Sequence, residues 1–149
     1  MRVIGVIPAR WGSTRFPGKS LHPILGKPLV CRVVEAVGRA RRLDEVIVAT
    51  DDERIAAAVR PGGVRVAMTS PDHPSGTDRV AEAAQAEAED VVINIQGDEP
   101  LIPPALIDAL AEKMAAEPLW GMATAACPIR DAAELAAASV VKVVLDRDD

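Results

Sequence analysis

Apolar residues fall along this chain in short runs set off by polar punctuation. Val3, Ile4, Val6 and Ile7 make the first run, which stops at Pro8. Val46-Ile47-Val48-Ala49, bounded by Asp44 and Asp51, is the second; Val64 to Ala67 is a weaker third; Val91 to Ile95 is the clearest after the first. Unbroken apolar runs of this length predict strands buried on both faces, as in parallel sheets. Helical spacing fills the gaps. Pro28 leads into a helix with the stripe Val30, Val33, Val34 and Val37, closed by Arg39, Arg41 and Arg42 near the negative end of its dipole. Asp51-Asp52-Glu53 opens a helix to about Val59, ended by Pro61-Gly62-Gly63. An Ala-rich helix is expected from about Gly76 to Ala88, and another from Pro103 to about Ala116 with Leu106, Ile107, Leu110 and Met114 on one side. Met122 to Pro128 reads as strand, Asp131 to Ala137 as a short helix, and Val140 to Leu145 as a last strand. Strands alternating with helices give βαβ units with right-handed crossovers. The expected fold is one three-layer α/β domain, Rossmann-like, with a mostly parallel sheet.

Composition narrows the function classes. A chain of 149 residues can bury a real core. The only aromatic residues are Trp11, Phe16 and Trp120, so that core is built from Val, Ile, Leu and Ala. Trp11 and Phe16 fall in a loop, where rings anchoring the loop to the body are favoured over base stacking. A net charge of −5 argues against a general nucleic-acid binder or a membrane-surface protein. Met1-Arg2-Val3 lacks the apolar region of a signal peptide, and no apolar run has the length of a membrane span. Cys31 and Cys127 lie far apart without CxxC spacing, which predicts reduced thiols rather than a metal site. The expectation is a cytoplasmic protein.

Three loops at the carboxyl ends of strands carry polar residues that a core does not require. The first holds Arg10, Arg15 and Lys19, with Gly12, Ser13 and Thr14 between the arginines. Small residues let backbone N–H groups approach an anion, and the cations neutralise it. Gly18-Lys19-Ser20 invites comparison with a Walker A loop, but Gly12 is one residue too distant and His22-Pro23 interrupts the helix such a loop needs. GxGxxG is also absent. The second loop, His73 to Arg79, places Ser75, Gly76 and Thr77 at a helix start, where N-capping and recognition of an anion or a base edge are compatible. The third, Gln96-Gly97-Asp98-Glu99-Pro100, follows a buried strand with a carboxylate suited to a hard cation such as Mg²⁺ shared with phosphate oxygens. If the first strand and the Val91 strand are neighbours at the sheet's switch point, Lys19 and Asp98 face one crevice, which is equipment for nucleotidyl transfer. His22 and His73 have no Ser or Cys nucleophile at a recognisable spacing, so a hydrolytic triad is not indicated.

Three segments, I-P-A-R-W-G-S-T-R-F-P-G-K-S-L, D-H-P-S-G-T-D-R and N-I-Q-G-D-E-P-L-I-P, resemble the 3-deoxy-manno-octulosonate cytidylyltransferases, or CMP-Kdo synthetases. The resemblance follows the whole chain in order, through V-A-T-D-D and V-K-V-V-L-D. Sialic acid cytidylyltransferases share the early I-P-A-R but lack N-x-Q-G-D-E-P. The resemblance implies a sheet of the sugar nucleotidyltransferase type and transfer of CMP from CTP to the anomeric hydroxyl of 3-deoxy-manno-octulosonate (Kdo). Pyrophosphate leaves, Mg²⁺ assists, and the product serves lipopolysaccharide assembly. It further implies that Arg10, Arg15 and Lys19 hold the triphosphate, with Ser13 in the same loop. Ala9, Ser75 and Gly76 would line the cytosine pocket with Arg79 beside it, Gln96 would face the sugar acid, and Asp98 would bind the metal. Members of the family continue past this point into a region carrying a second metal-binding aspartate, most of the Kdo site and a homodimer contact. Residues 1–149 are therefore expected to be the nucleotide-binding domain, with Asp146 to Asp149 beginning a hairpin turn. Two alternatives stand beside this one: a CTP-binding module without turnover, and a cytidylyltransferase for another sugar acid such as sialic acid.

Overall fold

The structure is a computed structural model, and it describes residues 1–12, 16–85 and 89–145. Four strands form the central sheet: β1 (Val3–Ala9), β4 (Glu45–Thr50), β5 (Arg65–Met68) and β6 (Val91–Asn94). Their order is β5-β4-β1-β6 and every pairing is parallel. The chain steps outward from β1 to β4 and β5, then returns to the other side of β1 for β6. That reversal puts the switch point between β1 and β6, where open parallel sheets place their ligands.

Alternation along β1 feeds two cores. Val3, Ile7 and Ala9 pack with α1 (Leu29–Val37), α2 (Glu53–Val59) and α4 (Pro104–Ala116) on one face. Ile4 and Val6 join Ile47 and Ala49 under Val80 and Ala83 of α3 (Gly76–Ala84) on the other. The layers are therefore α/β/α, as the apolar runs predict. In α1 the buried stripe is Leu29, Val30, Val33, Ala36 and Val37, while Val34 is half-buried and Pro28 sits at the cap rather than in the first turn. Asp52 caps α2 by accepting from the Arg54 N–H, and Gly63 at φ 74° ends the turn that follows.

Several expectations are corrected. The described part of α3 ends at Ala84, with residues 86–88 outside the described residues. On α4 the buried residues are Ile107 and Ala111, one turn apart; Leu110 packs partly against the core and Leu106 is exposed. The small Ala111 lets the helix approach where a longer side chain would hold it off. Met122–Pro128 and Val140–Leu145 do not form strands: Met122 is 81% exposed, Val141 90% and Val144 89%. Strand propensity is realised only where a neighbour supplies ladder partners and cover, and none of the described strands pairs with either segment. Of the last short elements, α5 (Ala132–Ala136) forms as expected and Asp131 caps it. The expected hairpin start at Asp146–Asp149 lies outside the described residues. One element was not foreseen, a two-stranded antiparallel ribbon of β2 (Pro23–Ile24) and β3 (Lys27–Pro28). Leu25 and Gly26, at φ 49° and 76°, make its tight turn. No helix of the described residues is long and apolar enough to cross a membrane.

Candidate active site

The cleft at the switch point is lined by Pro8, Ala9 and Arg10 from the end of β1, Lys19 and Ser20 from the loop's return, Ser75, Gly76 and Arg79 from the start of α3, and Gln96 to Asp98 after β6. Its volume is about 240 Å³. Eight of the ten residues expected at the site therefore meet in one place: Ala9, Arg10, Lys19, Ser75, Gly76, Arg79, Gln96 and Asp98. The other two, Ser13 and Arg15, lie outside the described residues.

The loop after β1 is closed at its base. The Gly18 N–H donates to the Trp11 carbonyl at 3.0 Å, and the Trp11 ring packs against Gly18. A Cβ on Gly18 would stand 2.8 Å from the ring, and its φ of 70° is one that side chains disfavour, so this position requires glycine. Lys19 to Leu21 then make a single 3₁₀ turn that stops at His22 in extended backbone, so no P-loop helix forms. Trp11 is the anchoring ring that the sequence leads one to expect. Phe16 is 44% exposed and meets His22 edge to face at 5.0 Å.

Across the cleft, the turn after β6 is pressed onto the end of β1. Ile95 N–H donates to the Val6 carbonyl, continuing the ladder past β6, and Gly97 follows so close that a Cβ would lie 2.4 Å from the Pro8 oxygen. Only glycine permits that approach. The result is that Asp98 reaches Lys19, with Nζ to Oδ2 at 2.6 Å and both side chains about half exposed. At that exposure the pair adds little stability, about 0–1 kcal/mol. Its interest is chemical: a cation fit for phosphate and a carboxylate fit for a metal stand side by side at the mouth of the cleft.

Ser75 caps α3, accepting from the Asp78 N–H at 3.2 Å, and Gly76 lies against Pro8. The Gln96 amide donates to Asn94 Oδ1 at 3.2 Å, and the Asn94 amide donates to Thr77 Oγ1 at 3.3 Å, which ties the third loop to the second. Glu82 on α3 clasps the segment before the cap by accepting from the Ser70 N–H and pairing with the His73 ring. These contacts, that with His73 foremost, hold its carboxyl below the ordinary glutamate value.

Arg79 lines the cleft beside Ser75 and Gly76, and its side chain is held from within the protein. Its guanidinium is almost wholly buried and engaged by Asp51 Oδ2 at 3.2 Å and by the Thr69 hydroxyl, so its charge is already matched inside the protein. Sequence reasoning missed both partners. Asp51 ends the V-A-T-D-D run at the carboxyl end of β4, and a carboxylate in that position was the available signal.

Asp98 is the carboxylate of the cleft, and the described residues contain no group of three or more His, Cys, Asp or Glu able to enclose a metal. That donor set suits Mg²⁺ held between one carboxylate and substrate phosphates rather than caged by protein.

A family profile described as cytidylyltransferase matches residues 4–149. The 3-deoxy-manno-octulosonate cytidylyltransferase of Geobacter sulfurreducens is 51% identical over 146 residues, 98% of this chain and 58% of that protein. The 3-deoxy-manno-octulosonate cytidylyltransferase 2 of Burkholderia lata is 52% identical over 145 residues, 95% of this chain and 55% of that one. This chain thus spans a little over half the length of the curated relatives it matches. A solved CMP:2-keto-3-deoxy-manno-octonic acid synthetase complexed with CTP superimposes with a TM-score of 0.77 at 44% identity, covering 80% of this chain and 49% of that one. A cytidylyltransferase from Leptospira borgpetersenii superimposes at 0.70 with 27% identity, over 78% and 50% of the two chains. With the parallel sheet, the switch-point cleft and the profile running from β1 to Asp149 all in agreement, the chain belongs to the cytidylyltransferase family.

Proposed function

We infer that this chain carries the nucleotide site of a cytidylyltransferase that moves CMP from CTP to the anomeric hydroxyl of Kdo and releases pyrophosphate. The observation that carries the reading is the meeting of Lys19 and Asp98 at the mouth of a cleft walled by Ser75 and Gly76. Lys19 and Arg10 neutralise the triphosphate, joined by Arg15 and Ser13 from the same loop. Ala9, Ser75 and Gly76 border the cytosine, where the backbone and hydroxyl groups at the start of α3 read its edge. Gln96, exposed beside Asp98, faces the incoming sugar acid. Asp98 holds Mg²⁺, which when bound draws charge from the phosphate oxygens. Such a transfer demands little covalent work from the protein: alignment of the attacking hydroxyl and neutralisation at the α-phosphate supply the rate. Since Lys19 and Asp98 now satisfy each other, nucleotide and metal must enter between them and part the pair. A cytoplasmic setting, a role in lipopolysaccharide assembly and a homodimer of the longer protein complete the proposal.

Pyrophosphate release with CTP, Mg²⁺ and Kdo tests it. Turnover with Kdo and not with sialic acid supports the reading; turnover with sialic acid alone moves the acceptor assignment. A second reading is favoured by one observation, that the chain spans 58% of the Geobacter sulfurreducens relative. On that reading residues 1–149 bind CTP without turning it over, and calorimetric CTP binding with no pyrophosphate released would support it.

A further inference from the structure

Asp51 does not line the cleft, but it bonds to Arg79 in one wall and to Trp11, the residue after Arg10 of the other. It sits at the carboxyl end of β4, mostly buried, between two elements that come from distant parts of the chain. Its Oδ1 accepts from the Trp11 N–H at 3.4 Å, and its Oδ2 accepts from Arg79 at 3.2 Å. Trp11 is the residue after Arg10, and its carbonyl and ring hold Gly18, so its position sets that of Lys19. Arg79 is on the first turn of α3, four residues after Ser75, and its backbone N–H points to the Ser75 carbonyl at 3.4 Å. Further contacts flank this carboxylate. Arg54, forked onto Asp52, stacks on the Trp11 ring 3.4 Å from its centroid, and Thr69 takes the other arm of Arg79.

The geometry points to Asp51 as the positioning residue that locks the phosphate loop and the base-side helix into a single nucleotide site. The proposal rests on the nucleotide reading above. One carboxylate serves both donors because its two oxygens only accept. An amide in the same place offers one oxygen and turns its NH₂ toward the other donor. Asp51→Asn therefore frees one wall and also leaves the buried guanidinium of Arg79 without its countercharge. Thr69→Val, nearly the same shape, removes only the second fixing of Arg79 and leaves Trp11 untouched.

The test titrates the protein with CTP, CMP and inorganic tripolyphosphate by calorimetry, well below the melting temperature of each variant. Asp51→Asn is expected to weaken both CMP and tripolyphosphate, each by about tenfold, the scale of one charge-assisted hydrogen bond. Thr69→Val is expected to weaken CMP and leave tripolyphosphate unchanged. A folded Asp51→Asn protein that melts earlier but binds both probes like the wild type overturns the proposal, since Asp51 would then serve stability alone. Loss confined to one probe also overturns it, because the two walls would not share a tether. Should Asp51→Asn fail to fold, Asp51→Glu replaces it: the charge stays, the longer arm displaces both donors, and the same double loss is expected. A wild-type protein that binds none of the three probes overturns the nucleotide reading itself, an outcome distinct from the two above.

Discussion

Gly97→Ala tests how the cleft is built. The new Cβ would lie 2.4 Å from the Pro8 oxygen, about 1 Å short of the 3.4 Å at which ordinary contact begins. Pro8 cannot retreat, because β1 is laddered on both sides, with Pro8 opposite Ala49 of β4 and Ile95 bonded back to Val6. The turn carrying Gly97 and Asp98 must therefore move outward by about that ångström. Overpacking of this kind costs about 1–3 kcal/mol of stability. The larger effect falls on the site: Asp98 moves away from Lys19, and misplacement by about 1 Å can lower a rate as much as 100-fold. Urea denaturation reads the first quantity and Mg²⁺-dependent pyrophosphate release by the full-length protein the second. Gly62→Ala, where an added Cβ meets nothing within 4 Å, is the control. If Gly97→Ala matches that control in both assays, the turn after β6 is not pinned to β1 and the stated origin of the Lys19–Asp98 contact is wrong.

Asp98→Asn should leave stability within about 1 kcal/mol of wild type, since a half-exposed ion pair contributes no more, while Mg²⁺-dependent turnover of the full-length protein collapses; unchanged turnover would remove Asp98 from the metal site. Lys19→Ala should weaken CTP binding by about tenfold or more. Lys27→Ala, which lies outside the cleft and pairs with Glu35, should not, and equal losses would place the triphosphate elsewhere. Glu82 supplies a pH prediction. Its folded pKa is depressed by His73 and the Ser70 N–H, so its contribution is complete above the ordinary value of 4.5 and fades as pH falls through the lower folded value. Glu82→Gln should flatten that part of the acid limb in pH-dependent melts, and an acid limb identical to wild type would contradict the assignment.

The strands and their ligand end were legible because unbroken apolar runs leave a parallel sheet few other arrangements. On the condition that the Val3–Ile7 and Val91–Ile95 strands are neighbours, the facing of Lys19 and Asp98 followed, and the topology fulfils that condition. Three features were hidden for physical reasons. Val140–Leu145 has the composition of a strand, yet a strand exists only with a partner, which composition cannot supply. The β2–β3 ribbon depends on a two-residue turn at Leu25-Gly26 flanked by prolines, which mask strand character. Asp51 and Thr69 acquire their roles from a buried guanidinium reached through folding, 28 residues from Asp51 and ten from Thr69, and no local pattern announces such a contact.

The place where CTP binds decides between a working cleft and an empty one. A crystal structure of the protein with CTP and Mg²⁺ should show the triphosphate between Lys19 and Asp98, the Lys19–Asp98 pair opened, and cytosine against Ser75 and Gly76. CTP bound outside the β1–β6 cleft, with that pair still closed at 2.6 Å, would contradict the proposed function.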